Sequence, residues 1–383
     1  MALPTGESPI SFSQIRTEFG DGTNTATSPV RLGQYRTTDP SFTNESPGDF
    51  SNLPLDTGIP TSGAINVDSF HGKKLNVIVD YYSGSDENRP NDARTKYQAA
   101  SASGNRVVVG GYKDRVIDDS SGSKVIIHVN KTIGSATGNV NFCAVRTGSF
   151  ETGTSVTVEV GSSGAIYGAG GDGGDGSSVQ TEGDAGPGEN GSDGSSALGV
   201  SHSGTVVNVA SGGIISKGYG GGGGGGGCNG IEEAGGEDSL FLEHIGSGGG
   251  GGAGLPVGEG GTVDSPDSGT GAPNTGNDAT INLAGTGGAA GNDRNFGGEG
   301  GFAGGGKGGD GGDAEQSAED GNGGEAGGGE WQNGPSSGTG GEAGGDGAAI
   351  RKASGVSWSF GVNLGTVTGE GANGSGESPT GVS

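Results

Sequence analysis

Apolar and polar residues alternate in short runs between residues 75 and 160: LNVIVDYY (75–82), NRVVVGGY (105–112), KVIIHV (124–129), NVNFCAVR (139–146) and SVTVEV (155–160). In the last run Val156, Val158 and Val160 fall on one face, with Thr157 and Glu159 opposite, the period of a half-buried strand. This pattern predicts a small antiparallel β-sandwich-like domain over 75–160. Ahead of it lie three short apolar clusters. Ser13 is placed to cap a helix over QIRTEFG (14–20), with Ile15 and Phe19 on one face; PVRLGQYR (29–36) and AINVDSFHGK (64–73) have the same scale. Segments this short usually become ordered against a partner surface, so residues 1–74 read as an attachment module. Its apolar contacts are Ile10, Phe12, Ile15, Phe19, Leu32, Tyr35 and Phe70.

From 155 onward a strand followed by a glycine run recurs: SVTVEVGSSGAIYGAGGDGGDG (155–176), TVVNVASGGIISKGYGGGGGGGG (205–227) and ATINLAGTGGAAG (279–291). Glycine accounts for 95 of the 383 residues, and most of it falls after Gly161. So much glycine removes the side chains that build a core, and each ordered glycine costs more backbone entropy than any other residue. Two outcomes are open: a flexible linker, or extended chains lying side by side and bonded through their backbones. In the ordered case each chain is a three-residue-per-turn helix of polyproline type whose N–H and C=O groups must all find partners on neighbours. Side chains then survive where they point outward, every third residue. Asp172 and Asp175, Glu299 and Phe302, Lys307, Asp310 and Asp313, and Asn322 and Glu325 keep that spacing. The fold expected is therefore mainly β: the N-terminal arm (1–74), the small β domain (75–160), then a polyglycine II bundle with strand-led rungs and variable loops (161–383). Collagen needs glycine at every third position without interruption, and a calcium-binding solenoid needs a reiterated G-G-x-G-x-D repeat. Neither pattern is sustained here.

A formal charge of −26 argues against nucleic acid as a partner, because phosphates would be repelled. Hydrophobic residues make up 28% of the chain, too few for one large core, and they concentrate before residue 170. No stretch approaches the roughly twenty apolar residues of a membrane span. MALPTGESPI (1–10) lacks the regions of a secretory signal, so an extracellular role would require release by lysis after synthesis in a host cytoplasm. Cys143 sits in a strand-like context and reads as a small buried hydrophobe, whereas Cys228 ends a glycine run.

Catalytic chemistry is not indicated. His71, His128, His202 and His244 are dispersed, with no metal-ligand spacing among them. Asp172, Asp175, Asp310 and Asp313 read as solvated outward positions. No nucleophile or paired-carboxylate constellation stands out, so the expectation is a protein that is not an enzyme, with no cofactor and no metal. If successive glycine legs run antiparallel, segments 228–245, 292–296 and 330–337 fall at one end of the bundle. They hold Leu240, Phe241, Leu242, His244, Phe296 and Trp331, and an aromatic cluster on a polar scaffold is a candidate binding site. The bland alternative is that Phe241 and Leu242 fill gaps where a loop packs on the bundle. Tyr167, Tyr219, Trp358 and Phe360 adjoin strands and read as packing residues.

Several signatures resemble one family. SPISFSQIRTEFG (8–20), with PVRLGQYR and SGAINVDSFHGKK (62–74), resembles the short N-terminal module of tail-fibre and other virion proteins of tailed bacteriophages. SFETGTSVTVEVGSSGAIYGAGGDGG (149–174) is similar to the entry strands of the glycine-rich domain in those fibres. EWQNGPSSGTGGEAGGDGAAIRKASGVSWSFGVNLGTVTG (330–369) resembles its closing segment. The matches span nearly the whole chain in the expected order. They imply a fibre-tip adhesin of the kind carried by T-even-type long tail fibres, in which loops of a polyglycine II sandwich contact the bacterial receptor. The expected partners are then other virion tail proteins, through the N-terminal module, and a bacterial surface polysaccharide or outer-membrane protein. A homo-oligomer, trimeric if fibre-like, is a further expectation. This chain departs from the tip adhesins by carrying its own N-terminal module and β domain, so its mode of attachment stays open. The alternative is a structural or decorating virion protein with the glycine domain as a spacer.

Overall fold

The computed structural model describes residues 3–6, 8–19, 32–35, 59–60, 62–73, 76–81, 107–109, 124–150, 152–177, 186–233, 239–244, 246–263, 275–289, 306–322, 336–371, 380 and 382. Among them the chain is mainly β. Helix α1 (Phe12–Phe19) starts two residues earlier than the sequence suggests. Its cap is Ser11 rather than Ser13: the Gln14 N–H donates to Ser11 Oγ, and the Ser11 N–H donates to Gln14 Oε1 at 2.7 Å. Leu3, Ile15, Ile59 and Phe70 bury one another in a small cluster, with Ile10, Phe12, Leu32, Ile65 and Val67 against it. The short N-terminal segments thus order against each other.

The strands are β1 (Asn76–Tyr81), β2 (Val107–Val109), β3 (Lys124–Val129), β4 (Thr132–Ile133), β5 (Cys143–Arg146), β6 (Ser155–Val160), β7 (Ala165–Tyr167) and β8 (Ser196–Val200). They continue with β9 (Thr205–Val209), β10 (Ile214–Ser216), β11 (Cys228–Glu233), β12 (Ser239–His244), β13 (Ser336–Ser337), β14 (Ile350–Lys352), β15 (Trp358–Asn363) and β16 (Thr366–Thr368). The expected antiparallel sandwich is corrected here. β3, β6, β9 and β15 pair in parallel along one sheet, β4, β7, β10 and β16 along a second, and β5, β8 and β14 along a third. Each turn of the chain lays one strand on each sheet, building the rungs of a three-sided solenoid. β1 joins β3 in parallel and β2 in antiparallel register. Alternation in a run such as SVTVEV specifies one buried face, and parallel and antiparallel neighbours satisfy it equally.

Like residues stack from rung to rung. Val125 is level with Val156; Ile127 with Val158 and Val207; Ile133 with Ile166 and Ile215; and Val145 with Leu198 and Ile350. All are buried in one core with Trp358, which meets Phe360 edge-on at 4.9 Å between ring centroids. The core therefore takes residues from both sides of residue 160. Cys143 lies at its margin as a free thiol.

Between the second and third sheets the chain leaves the solenoid. After β7 it runs out as leg 1 (168–177) and returns as leg 2 (186–195) to begin β8. After β10 it runs out as leg 3 (217–227). Leg 4 (246–253), leg 5 (256–262), leg 6 (275–279), leg 7 (284–289), leg 8 (306–313) and leg 9 (317–322) follow, and leg 10 (338–348) leads back to β14. Directions alternate as the sequence suggests. Residues 256–262 and 275–279, however, form two legs in what reads as one irregular segment.

The legs have extended backbones and bond to neighbours rather than to themselves. Leg 3 illustrates the rule. Gly218, Gly221 and Gly224 donate to leg 2, Tyr219, Gly222 and Gly225 to leg 4, and Gly223 and Gly226 to leg 9. Its carbonyls accept from leg 1, leg 8 and leg 10, again at every third residue. Leg 4 is likewise enclosed by legs 1, 3, 5, 6, 7 and 8. The legs fall into three rows: 2, 1 and 5; then 10, 3, 4 and 6; then 9, 8 and 7. Those enclosed on all sides hold the unbroken runs 220–227 and 248–252. A Cβ on Gly222 would stand 2.2 Å from the Gly309 carbonyl oxygen, so that position excludes even alanine.

Candidate functional site

The solenoid grips one end of the bundle. Ser135 N–H donates to the Leu255 carbonyl at 3.0 Å, Lys217 N–H to that of Thr368 at 3.1 Å, and Gly168 N–H to that of Ser216 at 2.9 Å. At the same end Lys217 pairs with Asp346 and lies 4.7 Å above the Tyr219 ring. Tyr167, Tyr219 and Trp358 are buried, and Phe360 is partly so, all of them as packing residues.

The opposite end is different in kind. Leg 3 runs there into β11 and leg 4 starts there after β12, and these strands pair in antiparallel register, with Ile231 level with Phe241, Gly230 with Leu242 and Glu232 with Leu240. β13, which precedes leg 10, adds to the other edge of β11. Leu240, Phe241, Leu242 and His244 thus share one strand at the end away from the rungs. Phe296 and Trp331 lie outside the described residues. The flanking ends of 178–185, 264–274, 290–305 and 323–335 all sit at this same end, because legs 1, 5, 7 and 9 finish there and legs 2, 6, 8 and 10 begin there.

Of the candidate attachment residues, Ile15 and Phe70 are fully buried inside the N-terminal cluster. Ile10, Phe12 and Leu32 lie partly buried at its margin. Phe19 and Tyr35 belong to helical turns, and their side chains lie outside the described set.

The outward aspartates do more than meet solvent. Asp172 Oδ1 accepts the N–H of Glu259 at 2.9 Å, and Asp175 Oδ1 that of Thr262 at 2.6 Å, so leg 1 holds leg 5 through side chains as well as backbone. Asn190 and Asp193 hold Glu342 and Gly345 in the same way at 2.8 and 2.7 Å. Asp310 holds Gly287, and Asp320 holds Ala343, at 2.7 and 2.8 Å. An N–H on a perimeter leg has no further leg to donate to, and a carboxylate one leg away supplies the acceptor. At Asp313 burial pushes the carboxyl up, but the N–H groups of Glu315, Ala284 and Gln316 together outweigh it and hold the group below the usual carboxylate range. The sequence places Asp172, Asp175, Asp310 and Asp313 outward but does not disclose this role; the available signal was that the period-three substitutions are so often Asp or Asn rather than Ser or Lys.

No protein-family model, curated protein or solved structure matches this chain. Among the described residues no cluster of His, Cys, Asp and Glu is arranged to hold a metal ion, and no helix is long and apolar enough to cross a membrane.

Proposed function

We propose that this chain is a tail-fibre or tail-associated adhesin of a bacteriophage, fixed to the virion through its N-terminal part and binding a host-surface receptor through loops of its glycine-rich domain. The legs are polyglycine II helices, and their function is rigidity. One observation carries the reading: the leg ends that flank every long non-glycine segment lie at the end away from the solenoid. The flanks between are largely glycine, Asp and Asn. The longest non-glycine segments thereby gather at one tip, the division between scaffold and binding loops expected of a recognition protein.

The sequence resemblance to phage fibres supplies the class of partner, a bacterial surface polysaccharide or outer-membrane protein. Weak contacts from each copy would be multiplied by several copies on one particle, so modest individual affinity suffices. The role requires no catalysis and no cofactor.

The test is exchange of 228–245 and 330–337 for Gly/Ser segments of equal length, followed by adsorption of the labelled protein to a panel of bacterial cells. Binding should fall at least tenfold while the melting transition of the remainder is kept. Undiminished adsorption would favour the spacer role in a structural or decorating virion protein.

A further inference from the structure

We propose that the perimeter Asp and Asn side chains set the register of the glycine legs, acting as the code by which a nearly featureless backbone lattice selects one arrangement. The backbone bonds alone cannot do this. Donors and acceptors repeat every third residue along each leg, so sliding a leg by three residues, roughly 9 Å at the rise of such a helix, offers the same bonds again. Steric exclusion has the same blind spot. It dictates which residues face inward and must be glycine, but a slide of three returns each residue to its original face.

Legs 1, 2, 3 and 10 are continuous with strands β7, β8, β10 and β14, whose side-chain ladders fix their height. Among the described residues, legs 5 to 9 run on from no strand and lead directly into none. Side-chain bonds tie these legs to their perimeter neighbours, as they also tie leg 1 to leg 5 and leg 2 to leg 10. Asp278 Oδ1 accepts from Gly260 at 2.9 Å, tying leg 6 to leg 5. Asn277 Nδ2 donates to Thr286 Oγ1 at 2.6 Å, tying leg 6 to leg 7. Asp310 Oδ1 accepts from Gly287 at 2.7 Å and Asp313 Oδ2 from Ala284 at 3.2 Å, tying leg 8 to leg 7. Asp320 Oδ1 accepts from Ala343 at 2.8 Å, tying leg 9 to the anchored leg 10. A slide of leg 7 past leg 8 by three residues carries one of the two carboxylates past the end of leg 7, and a slide of leg 6 past leg 7 sets Asn277 against Leu283 or Ala289, whose side chains offer no acceptor. The registers that backbone and sterics leave equal are thereby made unequal.

The experiment compares Asp310→Gly/Asp313→Gly with Asp310→Asn/Asp313→Asn in the full chain. Isotope-labelled protein is read by the number of backbone amide resonances per residue in legs 7 and 8 and by amide exchange at Ala284 and Gly287. The glycine variant should give additional resonance sets and at least tenfold faster exchange, while the asparagine variant, which keeps the acceptors, gives one set with exchange near that of the parent. A glycine variant with a single set and parental exchange outside the two altered positions would overturn the proposal. If the double glycine variant does not fold, Asn277→Gly, read by the resonance sets of legs 6 and 7, decides the matter by the same criterion.

Discussion

Gly222 donates its N–H to the carbonyl of Gly250 at 2.8 Å, joining the two legs of the bundle that are enclosed on every side. Neither residue has room for a methyl group. Gly222→Ala places Cβ 2.2 Å from the Gly309 oxygen and Gly250→Ala places it 2.0 Å from the Gly285 oxygen, contacts that backbone shifts alone can relieve. Each should cost about 3 kcal/mol or more. Gly345→Ala, where the nearest atom is the side-chain oxygen Asp193 Oδ1 at 3.2 Å rather than backbone, should change stability by less than about 1 kcal/mol. Urea melts of the three variants check the contrast.

Glu159 is level with His128 and Asn208 on adjoining strands, and Asn208 Nδ2 donates to Glu159 Oε1 at 2.7 Å. Burial pushes its carboxyl above the usual range, although the Asn208 amide and the nearby imidazole of His128 pull it down. The folded chain therefore holds this proton more tightly than the unfolded chain does. The associated stability is present below the ordinary carboxylate pKa and is lost as pH rises through the raised folded value. Glu159→Gln should melt higher than the parent at pH 7 and lose that part of the pH dependence in melts from pH 4 to 8.

Asp313 has the opposite sign. Its carboxyl is held low, so its contribution is complete above the ordinary carboxylate pKa and disappears as pH falls through the depressed folded value. Asp313→Asn should narrow the stability difference between pH 6 and pH 3 relative to the parent, measured by thermal melts in matched salt.

Arg351 is buried beneath the end of the chain, where Nε donates to Ser196 Oγ at 3.0 Å and Nη1 to Asn141 Oδ1 at 3.1 Å and to the Thr380 carbonyl at 2.9 Å. Arg351→Met takes one donor from each of these acceptors and should cost about 2–3 kcal/mol. Lysine cannot reproduce the fork and should recover only a fraction of the loss. Amide exchange at Lys352 and Thr380, which bridge beside Arg351, should quicken in both variants.

Burial pushes the Cys143 thiol up to about 12, with Arg351 and Arg146 opposing the shift. In a Cys228→Ser background the native protein should resist a thiol reagent at pH 8, and urea unfolding should restore ordinary reactivity.

The legibility of the molecule followed the location of its information. The period-three spacing of Asp172 and Asp175 disclosed outward positions, yet the N–H each would hold, on Glu259 and Thr262, lies on a leg that Pro256, Val257 and Thr262 disguise as an irregular loop. The valines of β6 announced a strand with one buried face, but nothing local in them states the direction of the neighbouring strand. That Ile350 would stack on Leu198 across an excursion through most of the bundle depends on contacts remote in sequence. At the tip, Phe241 and its neighbours were legible as unusual residues, and their pairing with β11 was not.

The chain passes into and out of the bundle through strands already paired in the solenoid: β7 into leg 1, β10 into leg 3, and legs 2 and 10 into β8 and β14. Among the described residues, no single-stranded tether joins the solenoid to the bundle. A pull along the legs therefore loads their cross-bonds in shear, many at once, and the load reaches the rungs by several parallel routes. The same lattice peeled sideways from a corner would lose its bonds singly, in succession. The molecule is built to resist tension along its length and is weakest to a force directed across a row.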